Sequence, residues 1–162
     1  MLVLKWAVIG LVVLALAVVI AGRLGLLQGS APPDLGVRDG RLKPPSPKAN
    51  SVSSQAQLHP QNPRHEQAQI APLRYQGDGA AAWARLQTLV EATPGASIVK
   101  READYLYVTC TTSVLRFVDD VEFWLDPAGG VIQVRSASRL GESDLGANRA
   151  RIEALRAKFE PR

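Results

Sequence analysis

Apolar positions fall into three regimes along the chain. Residues 6–22, WAVIGLVVLALAVVIAG, run without a single charge. Extended back over MLVL and Lys5, the run is long enough to cross a hydrocarbon core, and it predicts a transmembrane anchor over residues 1–22. A cleaved signal peptide is the alternative. Gly29-Ser30-Ala31 offers small residues for cleavage, but it lies well past the apolar run and Arg23. No cysteine directly follows the run, which excludes a lipoprotein site.

From Gly29 to about Pro72 the periodicity disappears. Eight of the eleven prolines lie here, among many Gln, Ser and Asn, so residues 23–71 read as an extended or disordered linker. The piece NSVSSQ, Asn50–Gln55, differs from its surroundings and is expected to lie against the folded part.

Periodic signals return at residue 72 and define a globular domain over residues 72–160. In GDGAAAWARLQTLVEATPG, Trp83, Leu86, Val90 and Thr93 recur at helical spacing, Asp78 is placed to cap, and Pro94-Gly95 stops the helix. SIVKRE and DYLYVTCT then read as a hairpin. Pairing Glu102 with Tyr105 sets Val99 opposite Val108 and Lys100 beside Tyr107. Asp126-Pro127-Ala128-Gly129-Gly130 is a strong turn. With Asp126 facing Val131, Leu125 meets Ile132 and Phe123 meets Val134 on one face, while Trp124 meets Gln133 and Glu122 meets Arg135 on the other. A slip of one residue destroys both sets, so this register is expected. A last helix, capped by Asp144 or Ser143, runs to about Phe159 with Leu145, Ile152, Leu155 and Phe159 as its apolar stripe. The order predicts an α+β fold: a four-stranded antiparallel sheet with helices packed on one face, preceded by a transmembrane helix and a Pro-rich linker.

Charge changes this picture only by its distribution. The net charge is +4. Residues 23–75 carry seven Lys/Arg against three Asp/Glu, whereas residues 76–162 carry eleven against twelve. The basicity belongs to the linker, and no zinc-finger, helix-turn-helix or RRM signature occurs, so nucleic acid is not expected as a partner. Cys110, the lone cysteine, lies in the strand-like run YLYVTCTT and reads as a small buried hydrophobe. His59 and His65 fall in the linker, which leaves no base to activate a nucleophile within the domain, and GxSxG is absent.

Two polar groups could carry function. Asp119, Asp120 and Glu122 with Arg116, Arg135 and Arg139 place three acids near three arginines on neighbouring strands. A catalytic carboxylate pair needs one raised pKa, and the arginines favour the charged form of every acid, so a structural ion-pair network is the preferred reading. Calcium-loop spacing and histidine ligands are lacking, and no metal or cofactor is expected. The second group, Arg135, Ser136, Ser138, Arg139, Glu142, Ser143 and Asp144, leads into a helix N-terminus that could hold an anion, but an acid capping that end repels one. Asn148 lies on the inward face of the last helix beside Arg149 and is expected to tie it to loop 138–143 or to NSVSSQ. The candidate binding residues are therefore Asp119, Asp120, Glu122, Arg135, Ser136, Ser138, Arg139, Asn148 and Arg149, with none assigned a catalytic role.

The segments NSVSSQ, RFVDDVEFW and IQVRSASRLGESDLGANRARIE resemble domain-of-unknown-function family 1499, over roughly residues 50–159. Ser51 stands where the family often carries a cysteine. The resemblance implies a domain found in bacterial envelope or plastid proteins, and it implies no cofactor and no catalytic residues. The combined expectation is a single-pass protein of the inner (cytoplasmic) membrane, contacting lipid through residues 6–22. Its C-terminal domain is expected on the exported side, because a short basic N-terminus before an apolar run is the layout of an export signal. Arg23, Arg38, Arg41 and Lys43 favour the alternative, a cytoplasm-facing domain. The expected role is a non-catalytic binding or structural module, whose partners are other envelope proteins or a small ligand. The alternative is a small-ligand or anion-processing domain using Asp119, Asp120, Glu122 and Arg135.

Overall fold

A computed structural model describes residues 1–160. Helix α1, Leu2–Arg23, is long and apolar enough to cross a membrane. At 1.5 Å per residue it spans roughly 33 Å, against about 30 Å of hydrocarbon. The domain contributes β1 (Ser51–Ser53), α2 (His65–Ala68), β2 (Leu73–Arg74), α3 (Gly79–Glu91), β3 (Ala96–Arg101), β4 (Tyr105–Thr111), β5 (Val118–Asp126), β6 (Val131–Ser138) and α4 (Ala147–Phe159).

The sheet is antiparallel and has six strands, not the four expected: its order is β1-β6-β5-β4-β3, and β2 also pairs with β6. Of the two additional strands, β1 comes from the stretch read as linker and β2 from the first residues of the expected domain. They are only three and two residues long and polar in part, too short for any period-2 pattern to register. The boundary expected at residue 72 moves accordingly, because Leu42, Val52, Ala56, Ala68 and Ile70 are all buried. NSVSSQ lies against the domain, with Asn50, Ser51, Ser53 and Gln55 buried.

The β5–β6 register is the one the alternation dictates: Asp126 faces Val131, Phe123 faces Val134 and Glu122 faces Arg135. The β3–β4 hairpin departs at one position. Lys100 meets Tyr107, but Ile98 takes the place opposite Val108, because a bulge between Ile98 and Lys100 turns Val99 out to solvent.

Helices α3 and α4 pack on the face carrying Leu106, Val108, Val121, Phe123, Ile132 and Val134. Asp78 caps α3 by accepting from the Ala80 amide at 3.0 Å, and Trp83, Leu86 and Val90 enter the core. The start of α4 needs correction. The helix begins at Ala147, after Leu145 and Gly146, both left-handed (φ 52° and 85°). Asp144 still serves the helix end, since its carboxylate accepts from the Gly146 and Asn148 amides, at 3.0 and 2.8 Å. The resulting turn throws Leu145 outward, 96% exposed, and the apolar stripe is Ile152, Leu155 and Phe159.

The opposite face of the sheet carries Tyr105, Tyr107, Asp120, Glu122 and Arg135, all buried. They are covered by a segment of the proline-rich stretch, in which Leu42 packs with Tyr105 and Tyr107 and Leu35 and Val37 flank them. The polar face therefore gives residues 35–42 a docking site, and what composition marks as a free tether becomes a cover.

Candidate functional site

Alternation along β5 sends Asp119 to the helical face and Asp120 and Glu122 to the covered face. The candidate residues are therefore not one site; the sheet divides them into two groups.

On the covered face Glu122 is fully buried. Its Oε1 accepts from the Tyr105 hydroxyl and the Gly36 amide, each at 2.8 Å, and its Oε2 accepts from Arg135 Nη1 at 3.1 Å. Arg135 Nε donates to the Pro44 carbonyl at 3.2 Å. The sheet and its cover are thus joined through one ion pair. Two residues earlier on β5, on the same face, Asp120 accepts from the Tyr107 hydroxyl at 2.6 Å and from Arg139 Nη2 at 2.8 Å. Burial, then the Glu122 charge and its hydrogen bond, push the Tyr105 hydroxyl far above its ordinary pKa. Burial and the bond to Asp120 push Tyr107 up to about 12. Both phenols are held neutral, as donors.

On the helical face Asp119 accepts from Arg151 Nη2 of α4 at 2.5 Å. Asn148, fully buried, is the hub. Its Nδ2 donates to the Asn50 carbonyl (3.1 Å), Ser138 Oγ (3.0 Å) and Asp144 Oδ2 (2.8 Å), while its Oδ1 accepts from Ser136 Oγ and from Arg151 Nη1. The tie expected to loop 138–143 or to NSVSSQ reaches both, through Ser138 and through the Asn50 carbonyl; Asn50 Nδ2 in turn donates to the Gly141 carbonyl at 2.8 Å. Burial opposes ionisation of Asp144, but the Asn148 and Gly146 amides outweigh it and lower its pKa. Arg149 points elsewhere and donates to the carbonyls of Gln67 and Gln69, both at 2.8 Å.

Arg116 joins neither group; it sits in the loop before β5 at φ 59°. Arg151 takes the place expected of it. Sequence reasoning passed over Arg151, Tyr105 and Tyr107, although each carried a signal. Arg151 follows Asn148 by three residues on one helix face, and the tyrosines share strand parity with the positions facing Glu122.

Two concavities flank these groups. An apolar cavity of about 220 Å³ opens between α3, α4 and the sheet, lined by Val90, Val108, Cys110, Val121 and Leu155, with Arg151 and Lys158 at its mouth. Burial raises the Cys110 thiol pKa, opposed only in part by Arg151. A shallower groove of about 370 Å³ runs along the cover beside Lys43, Ser46, Asp120 and Arg139. Among the described residues, no three His, Cys, Asp or Glu side chains converge as metal ligands.

Residues 41–159 match the family model described as protein of unknown function (DUF1499). No curated protein and no solved structure matches the chain.

Proposed function

The chain belongs to the DUF1499 family of proteins of unknown function, and on that premise we propose that it is a membrane-tethered, non-catalytic binding module of the cell envelope. The domain lies on the exported side, and its ligand is a short apolar chain with an anionic head. The observation that carries the reading is how completely the acids are engaged. Asp119, Asp120 and Glu122 are each buried and paired with a different arginine, Arg151, Arg139 and Arg135. Acid–base catalysis needs a carboxylate free to reach substrate, and each of these three is buried and already committed to a guanidinium. They brace the fold, and Ser136, Ser138, Asn148 and Arg149 extend the bracing to α4 and to the segment before β2.

Binding is assigned to the apolar cavity. Its volume equals about seven water-sized units, enough for a short alkyl chain. Lys158 at the mouth makes no ion pair among the described residues and supplies the countercharge. A second reading, an anion-handling site, draws support from the groove beside Asp120 and Arg139.

Methyl-resolved NMR of the full chain in phosphatidylcholine nanodiscs, titrated with octanoate, separates them. The binding reading expects saturable shifts at Val108, Val121 and Leu155, weakened by Lys158→Gln. Shifts that never saturate overturn it. Inorganic phosphate perturbing Ala137 with no octanoate response favours the groove. Alkaline phosphatase fused after Arg162 reports the side: activity supports export, and a silent fusion with an active cytoplasmic reporter reverses the orientation.

A further inference from the structure

One end of the domain is built differently from the other. The end formed by the β3–β4 and β5–β6 turns carries Ala103, Asp104, Asp126, Pro127 and Ala128. The other end is formed by loop 112–117 and loop 139–146, and it displays Val114, Leu140 and Leu145 to solvent. The two ends are separated by the nine residues of β5, roughly 30 Å.

The apolar end is where α1 arrives. Gly22, at the last turn of α1, is buried against the Leu115 backbone, and a Cβ there would collide with the Leu115 carbonyl. Gly29 lies so close to the second loop that a Cβ would come within 2.9 Å of Arg139 Cβ and 3.1 Å of Leu140 Cγ. Leu24 and Leu26, between these contacts, are exposed. Leu140 and Leu145 line one groove of about 260 Å³ with Thr112 and Phe117. Exposed leucines from α1's exit and from loop 139–146, with Val114 of loop 112–117, therefore occupy one region of the molecule.

Leu145 is the most telling of them. A leucine at φ 52° is uncommon and strained, and this one gains no packing from it. The conformation is imposed by its neighbours: Ser143 Oγ accepts from the Leu145 amide at 3.2 Å, and Asp144 fixes the residues that follow. The turn holds a large apolar side chain outward, an arrangement whose stabilisation must come from an apolar medium. Charge does not oppose contact with lipid headgroups. Arg23 and Arg116 are cationic, Glu142 is paired with Lys48, Asp119 with Arg151, and Asp144 is engaged by amides.

We infer that this end of the domain docks on the bilayer, with Val114, Leu140 and Leu145 inserted at the headgroup–acyl boundary beside the exit of α1. The inference rests on α1 crossing that bilayer. Docked, the domain is held against the membrane, not at the end of a long tether, and its orientation is fixed by two loops and one helix.

The test uses the full chain in phosphatidylcholine nanodiscs containing brominated acyl chains. Cys110→Ala removes the native thiol, and single cysteines carrying an environment-sensitive fluorophore are placed by Leu145→Cys, Val114→Cys, Ala128→Cys and Val12→Cys. Emission at positions 145 and 114 is expected to shift blue and fall at least about twofold, as burial some 5–10 Å into the interface requires. Position 128 is expected to stay water-like. Leu140→Ser with Leu145→Ser is expected to abolish quenching at 114 while the chain stays in the membrane through α1. Quenching at position 12 with none at 145 or 114 overturns the docking and leaves the span intact. Quenching at none of them overturns both.

Discussion

The side-chain amide of Asn148 donates to the backbone carbonyl of Asn50 at 3.1 Å, across 98 residues of chain. That bond joins α4 to the residue preceding edge strand β1; the same nitrogen also serves Ser138 and Asp144, and the side-chain oxygen accepts from Ser136 and Arg151. Asn148→Ala leaves two hydroxyls, a carbonyl and two charged groups short of a partner. The expected loss is about 3 kcal/mol, or roughly 10 °C in the melting midpoint. A thermal melt of the full chain in micelles checks it; a variant melting within a degree of wild type removes Asn148 as a strut.

Alkali should loosen the covered face. Tyr107 holds its proton up to about 12, and Tyr105 holds its own beyond that, whereas both phenols ionise near 10 in the unfolded chain. Between those values the unfolded state binds fewer protons than the folded one, so stability is full below pH 10 and falls as pH rises. Denaturation midpoints at pH 9 and pH 11 should differ in wild type, and Tyr107→Phe should reduce the difference.

Asp144 controls the acid limb in the opposite sense. Its folded pKa is lowered, so its contribution is present above the ordinary carboxylate value and is lost as pH falls through the folded one. Asp144→Asn should flatten the stability profile of the folded chain below pH 4, measured by denaturant titration at pH 5 and pH 3.

Cys110 should resist chemistry in the folded protein. It is buried on β4 and its thiol is pushed up by burial, so little thiolate exists at neutral pH. Iodoacetamide should label it only after denaturation. Labelling of the native chain at the rate of a free thiol would show that the cavity beside it opens readily.

The fold was legible wherever burial imposed a strict period. Phe123 and Val134 could face one side only, with Glu122 and Arg135 on the other, so the β5–β6 register followed from alternation. The helix 79–91 was legible for the same reason, with its Asp78 cap. Three features escaped because something other than periodicity decides them. Val99 is expelled by a bulge, which inserts one residue and breaks parity for the strand. Leu145 has helical spacing to Asn148 and Ile152, but Asp144 captures the amides that follow and starts the helix later. The cover formed by residues 35–42 has the composition of a tether, and its place is set by what it covers. Leu42 donates its amide to Gln55 Oε1 at 2.8 Å, and Gly36 donates to Glu122. Such long-range pairings leave no local pattern. The acids and arginines of the candidate site were visible as a group, yet parity alone separates Asp119 from Asp120, and Arg151 rather than Arg116 completes the third pair.

Tyr105→Phe removes one of three hydrogen bonds to Glu122 while keeping the ring against Leu42. The expected destabilisation is about 1–2 kcal/mol, read from a denaturant midpoint, with no change in the octanoate response of the cavity on the other face.

Amide hydrogen exchange at Gly36 and Leu42 in Glu122→Gln tests most directly whether the buried charges hold the cover to the sheet. The substitution keeps the shape and leaves Arg135 without its countercharge. Exchange at both amides should accelerate by about tenfold or more, while α4 amides remain protected and octanoate still binds. Unchanged exchange across the cover, together with loss of octanoate binding, would contradict it.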